Sequence, residues 1–158
     1  MEWSGQLYIL GEVALAIVLS GLIGLERELA GKPAGFRTQM LVAGSAALLV
    51  GLGEVLLERF SAGGEGSLIR ADPIRIVEAV ITGISFLGAG TIFRRGGEQV
   101  EGLTTAATLL LSGALGICVA LRQLLLATGV TLLALILLHS LQRVEVWLTA
   151  RGERIERP

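Results

Sequence analysis

The chain has 158 residues, 53% of them hydrophobic and 17% charged, with a formal net charge of −1 and a mean hydropathy of +0.73. A soluble domain carries about a quarter charged residues, so this sequence lacks the polar surface that water requires, and its charge gives a nucleic acid no electrostatic footprint. Cys118 is the single cysteine, which excludes an internal disulfide and a CxxC-type metal or redox site.

A helix needs about 20 apolar residues to cross a bilayer core of about 30 Å, and five segments approach that length. Residues 7–25 are the first. The opening Met1-Glu2-Trp3 has no basic n-region, so this run is expected to be a retained span rather than a cleaved signal. The second is 40–57 and the third 74–93, with Glu78 near its start. Residues 103–121 and 124–141 are the fourth and fifth, parted by little more than Arg122-Gln123. The runs are continuously apolar and lack the alternation of a transmembrane β-barrel. The sequence predicts an all-α polytopic bundle of about five transmembrane helices over residues 1–145, followed by a short charged cytoplasmic tail at 146–158. The longest loop contains Ser61-Ala-Gly-Gly-Glu-Gly-Ser67, read as flexible. It ends at Asp72-Pro73, an expected N-cap with proline at the first helical position.

With five spans, one side of the membrane holds four basic residues (Arg59, Arg70, Arg75, Arg122) and the other holds the remaining nine of thirteen. The positive-inside rule then puts the N-terminus outside and the C-terminus in the cytoplasm.

Helix association in lipid rests on close backbone approach and a few polar contacts. Thr104, Thr108, Ser112, Gly116 and Ala120 recur every four residues and form one small-residue ridge on the fourth span. The third span adds Ala79-xxx-Gly83, Gly88 and Gly90, and the first adds Ser20-xxx-Gly24. The third and fourth spans are therefore the expected centre, and the Leu-rich fifth is assigned to lipid or to an oligomer interface. Gly88 to Thr91 reads as close packing against the fourth span, with an interrupted transporter-type helix as the other reading. No continuous polar track is evident through the spans, and a homodimer is expected.

No nucleophile–base pair, phosphate loop or metal-ligand spacing marks an enzyme. Cys118 is read as filling core space and His139 as reaching interfacial water. The charged residues at span ends carry more information. Glu26, Arg27 and Glu28 close the first span and Arg37 opens the second, where the helix dipole disfavours a cation. Neutralisation of Arg37 by Glu26 or Glu28 across the Gly31–Gly35 loop predicts an ion-pair cluster, with charge that merely sets topology as the alternative. On the outer side, Glu12, Glu54, Asp72 and Glu78 form a candidate Mg²⁺ or Ca²⁺ set, since these metals take oxygen ligands. Otherwise these carboxylates reach outer-surface water or pair with Arg59, Arg70 and Arg75. No other cofactor is expected.

Five motifs in order make the chain resemble the MgtC/SapB family of bacterial inner-membrane proteins. They are Gly21-Leu-Ile-Gly-Leu-Glu-Arg-Glu28, Gly35-Phe-Arg-Thr-Gln-Met-Leu41, Asp72-Pro-Ile-Arg75, Gly83-Ile-Ser-Phe-Leu-Gly-Ala-Gly-Thr91 and Gly102-Leu-Thr-Thr-Ala-Ala107. The resemblance implies a helical membrane domain with a cytoplasmic C-terminus, linked to adaptation to low magnesium and to virulence. It implies a regulator acting on other membrane machinery, with ATP synthase and phosphate uptake as proposed partners, and direct Mg²⁺ transport as the lesser alternative. Glu26, Arg27, Arg37 and Asp72 are the polar positions it carries over. Longer members have a soluble C-terminal domain that this sequence lacks, so it is expected to be a short form or a truncated piece.

Overall fold

The computed structural model describes residues 3–61, 72–95 and 99–155. Five helices run in chain order: α1 (Trp3–Leu29), α2 (Phe36–Ser61), α3 (Pro73–Gly90), α4 (Leu103–Ala120) and α5 (Leu124–Ile155). The first four are long and apolar enough to cross a membrane, and α5 opens on a further apolar stretch, Leu124–Ser140. α5 then runs on unbroken, so the boundary expected at 141 is not a helix end and the predicted tail begins inside this helix. Most of the glycine-rich second loop, with Glu65 and Arg70, and the last residues of the tail lie outside the described residues.

α1 and α2 form an antiparallel pair whose turn is closed by small residues. A Cβ on Gly24 would sit 2.8 Å from the Phe36 Cα, and one on Gly21 would sit 3.2 Å from Met40 Cγ, so glycine sets how closely the two backbones meet. α3 begins where expected: Asp72 accepts a hydrogen bond from the Ile74 amide at 3.0 Å and Pro73 follows in the first turn.

The third span ends earlier than the predicted residue 93. α3 stops at Gly90 with Thr91 as its C-cap. A two-stranded antiparallel ribbon follows, β1 (Phe93–Arg95) with β2 (Gln99–Glu101), pairing Phe93 with Glu101 and Arg95 with Gln99. Gly102 joins the ribbon to α4 at φ 92, and a Cβ there would run into the Thr91 carbonyl. Only glycine satisfies both conditions.

The centre of the bundle differs from the expectation. α4 is central, packed against α2, α3 and α1, while α3 is the more exposed of the two helices and lies at the edge. Of the α4 span 56% is buried, against 17% of α3. Gly116 presses on α2, where a Cβ would collide with the Ala43 carbonyl, and Gly113 faces Ile84 of α3. Gly83 and Gly90 have nothing within 4 Å of an added Cβ, and Gly88 alone of the three packs against α4, at Ala106. α5 buries Ala127, Thr131, Ala134 and Leu138 and exposes Leu125, Leu132, Leu133 and Ile136, as its leucine content suggested.

Candidate functional site

α1 places Glu12, Ala16, Leu19, Ser20, Ile23 and Arg27 on its buried face. The steps of three and four residues keep these side chains on one stripe, and the stripe carries a polar group at both ends of the bundle.

At the ribbon end the stripe feeds a buried hydrogen-bond chain. Arg27, 4% exposed, donates from Nη2 to Thr105 Oγ1 at 3.2 Å. Thr108 Oγ1 donates to the Thr105 carbonyl at 2.9 Å and accepts from Gln39 Nε2 at 3.0 Å. The second amide proton of Gln39 goes to the Ala34 carbonyl at 3.2 Å, and its Oε1 accepts from Ser112. Ser20 Oγ lies 2.8 Å from Ser112 Oγ and 2.9 Å from the Gln39 carbonyl. Gln39, Ser20 and Ser112 are fully buried. The chain links α1, α2 and α4 in a low-dielectric interior, where an unmade hydrogen bond is costly. This polar track covers only about half the length of the bundle and is not continuous through the spans. Beside it, Arg27 Nε and both Glu26 carboxylate oxygens are buried without a hydrogen-bond partner among the described residues.

Beyond Ser20 the polar chain stops. Ala16, Ala43, Ala46 and Ala47 are fully buried there, and Gly116 packs against Ala43 and Ala46. Polar groups resume at the far end of the stripe, where Glu12 Oε1 lies 3.5 Å from Arg122 Nε and the Arg122 guanidinium stacks 4.5 Å from the Tyr8 ring centroid. Arg122 sits in the α4–α5 turn at φ 59, so this clamp ties the start of α1 to the last helix pair.

The predicted ion-pair cluster does not form. Arg37 is exposed and has no ion pair within the described residues, and Glu28 Oε2 instead accepts the Phe36 amide at 2.9 Å. That amide is an orphan donor of the α2 N-terminus, so Glu28 answers the helix dipole directly and Arg37 needs no neutralising partner. The proposed cation ligands are also kept apart. Glu12 is held by Arg122, Asp72 caps α3, and Glu54 and Glu78 are exposed. Among the described residues no three His, Cys, Asp or Glu side chains gather as metal ligands. Thr104 is exposed, whereas Thr108, Ser112 and Gly116 of the same ridge are buried. Cys118 is half-buried beside the core, and His139 is exposed.

Sequence reasoning missed Gln39, the residue on which the polar chain converges. A second span that starts at Met40 places Gln39 in the loop before it. The available signal was its place one turn inside a helix that opens at Phe36, together with the seven-residue step from Ser20 to Arg27 on α1.

One lateral feature remains. α2 and α3 diverge to leave an open apolar cleft of about 870 Å³, lined by Leu41, Ser45, Leu49 and Gly53 on one wall and Ala79 and Gly83 on the other.

The MgtC family profile matches residues 13–147. The chain is 38% identical to the protein SrpB of Synechococcus elongatus over 165 residues, 98% of this chain and 85% of that one. It is 39% identical to the protein MgtC of Brucella abortus over 117 residues, 74% of this chain and 44% of MgtC. With an Escherichia coli K12 protein named "Putative magnesium transporter YhiD" it shares 36% identity over 107 residues, 66% of this chain and 47% of YhiD. The chain thus spans less than half the length of these last two relatives. No solved structure matches it. Four span-length apolar helices, together with this family match, make it a multi-pass membrane protein. The matched stretch runs from the first turns of the buried α1 stripe into the last helix, and the chain belongs to the MgtC family.

Proposed function

We propose that this protein is a non-enzymatic regulator of the bacterial inner membrane, serving adaptation to low magnesium and acting through a membrane partner. The observation that carries this reading is the interruption of the polar stripe. The hydrogen-bonded chain from Arg27 to Ser20 uses up the polar atoms of Gln39, and alanines and Gly116 seal the interior between Ser20 and Glu12. A bundle closed in this way holds its helices in register and offers an ion no row of ligands. The cleft between α2 and α3 supplies a lateral face for a membrane-embedded partner. Components of ATP synthase or of phosphate uptake are the partners that the family resemblance suggests. The N-terminus faces outward and the C-terminus the cytoplasm, in keeping with the excess of basic residues on the ribbon side.

A Mg²⁺ transporter is the second reading, favoured by the name of the E. coli relative. Proteoliposomes with a Mg²⁺-sensitive dye inside separate the two. The regulator predicts no influx above that of protein-free vesicles. Influx abolished in a Glu54→Gln/Asp72→Asn/Glu78→Gln variant, whose isosteric changes preserve the α3 cap, would make the protein a transporter.

A further inference from the structure

The lateral cleft between α2 and α3 has apolar walls and a charge at one end. It runs along α2 from Thr38 to Leu56 and along α3 from Arg75 to Leu87, and among the described residues Arg75 is the single charged side chain that lines it. Ser45 turns its hydroxyl back onto the Leu41 carbonyl, so the walls offer no free side-chain donor between Thr38 and Arg75. The two helices touch at Gly53, where a Cβ would collide with Ile76, and separate towards Gly83, where an added Cβ meets nothing within 4 Å. The open part of the groove thus lies about 12 Å of helix beyond Arg75, at the depth of lipid tails. At the mouth, Arg75 Nε lies 4.0 Å from Asp72 Oδ2, with the two side chains 84% and 48% exposed. Asp72 Oδ1 is held by the Ile74 amide, which leaves Oδ2 and most of the guanidinium open to a further partner.

We propose that this groove is a binding site for a phospholipid with a free ammonium group, its acyl chain between α2 and α3, its phosphate on Arg75 and its ammonium on Asp72. Size and charge together select this occupant. A groove left empty would forfeit dispersion contacts along both walls. A span-length helix, about 27 Å long and about 10 Å across, fills about 2,000 Å³, whereas the groove holds about 870 Å³. A flexible run of methylenes can follow it, and a helix cannot enter it. Arginine presents a fork of donors that matches a phosphate, and the carboxylate beside it suits an ammonium N–H at the same depth. An anionic headgroup without an amine would set its charge against Asp72 instead. Asp72 and Pro73 open a span-length helix, which puts this charged pair at the headgroup level. The inference is independent of the regulatory role, which the flux measurement tests separately; a partner protein arriving at this face would meet lipid rather than bare helix.

The test is native mass spectrometry of the full chain, purified in a mild detergent and supplied with phosphatidylethanolamine or phosphatidylglycerol. The parent is expected to retain phosphatidylethanolamine and to prefer it over phosphatidylglycerol. Gly83→Leu, which fills the groove from an open position, should abolish retention while melting no lower than the parent. Gly129→Leu on α5, where an added Cβ also meets nothing within 4 Å, should retain lipid as the parent does. Arg75→Gln should lower retention about fivefold, the size expected for one charge-assisted bond. Asp72→Asn, which keeps the α3 cap, should retain lipid and lose the preference for the amine headgroup. These two headgroup variants keep the test decisive if Gly83→Leu folds poorly. Equal retention by the parent and a folded Gly83→Leu, no headgroup preference in the parent, or a lipid-free dimer of the parent would each overturn the proposal.

Discussion

α3 and α4 are each 18 residues long and rich in glycine, alanine, serine and threonine, yet of the four span-length helices α4 is the most buried and α3 the least. In α4 the small residues are consumed internally: Gly116 admits the Ala43 carbonyl, and the hydroxyls of Thr108 and Ser112 meet Gln39. In α3 most of the same residue types face outward, and an added Cβ on Gly83 or Gly90 would meet nothing within 4 Å. A small-residue row therefore marks a place where another backbone can come close, without saying whether that backbone belongs to the same chain.

Substitutions matched across the two helices put this contrast at risk. The largest effect is expected for Gly116→Val, which pushes side-chain atoms into the α2 backbone and should cost about 3 kcal/mol or more. Normal thermal melting of that variant in detergent would mean that α4 is not packed as described. Gln39→Leu removes three side-chain hydrogen bonds, and with interhelical bonds in membranes averaging about 0.6 kcal/mol each it should cost about 2 kcal/mol. Reversible unfolding in mixed micelles can read that difference. Glu28→Ala uncaps the α2 N-terminus and should cost about 1 kcal/mol by the same assay. On α3 the sign reverses: Gly83→Ala meets no neighbour and should stabilise the monomer in detergent by up to about 1 kcal/mol through helix propensity. Arg37→Glu should stay within about 0.5 kcal/mol of the parent, and a larger loss would revive the ion-pair cluster that the Glu28 contact displaced.

Features that depend on local chemistry were legible in the sequence. Apolar runs located the helices, and Asp72-Pro73 located the start of α3, because cap and proline act within one turn. Long-range partners were not. The ridge on α4 reads the same whether its neighbour is α2 or α3, so only the fold could decide that Gly116 faces Ala43. The ribbon escaped notice because three-residue strands such as Phe93–Arg95 are too short to show alternation. The Glu28 contact was misassigned because opposite side-chain charges were matched with each other, while the nearer acceptor-seeking group was the Phe36 amide. The outer carboxylates were grouped by depth alone, and depth says nothing about which face of a helix each occupies.

The clamp at the far end bears on how the chain is made. Glu12 enters the membrane with the first helix to leave the ribosome, but Arg122 and its turn arrive only after α4 has been synthesised. Throughout that interval Glu12 has no Arg122 to pair with, and an acid within a span is costly to bury. Closure of α4 and α5 onto Tyr8 and Glu12 ends it. The first helix is thus locked to the bundle by the last turn to be made, so the order of synthesis leaves this end of the fold open until α4 is complete.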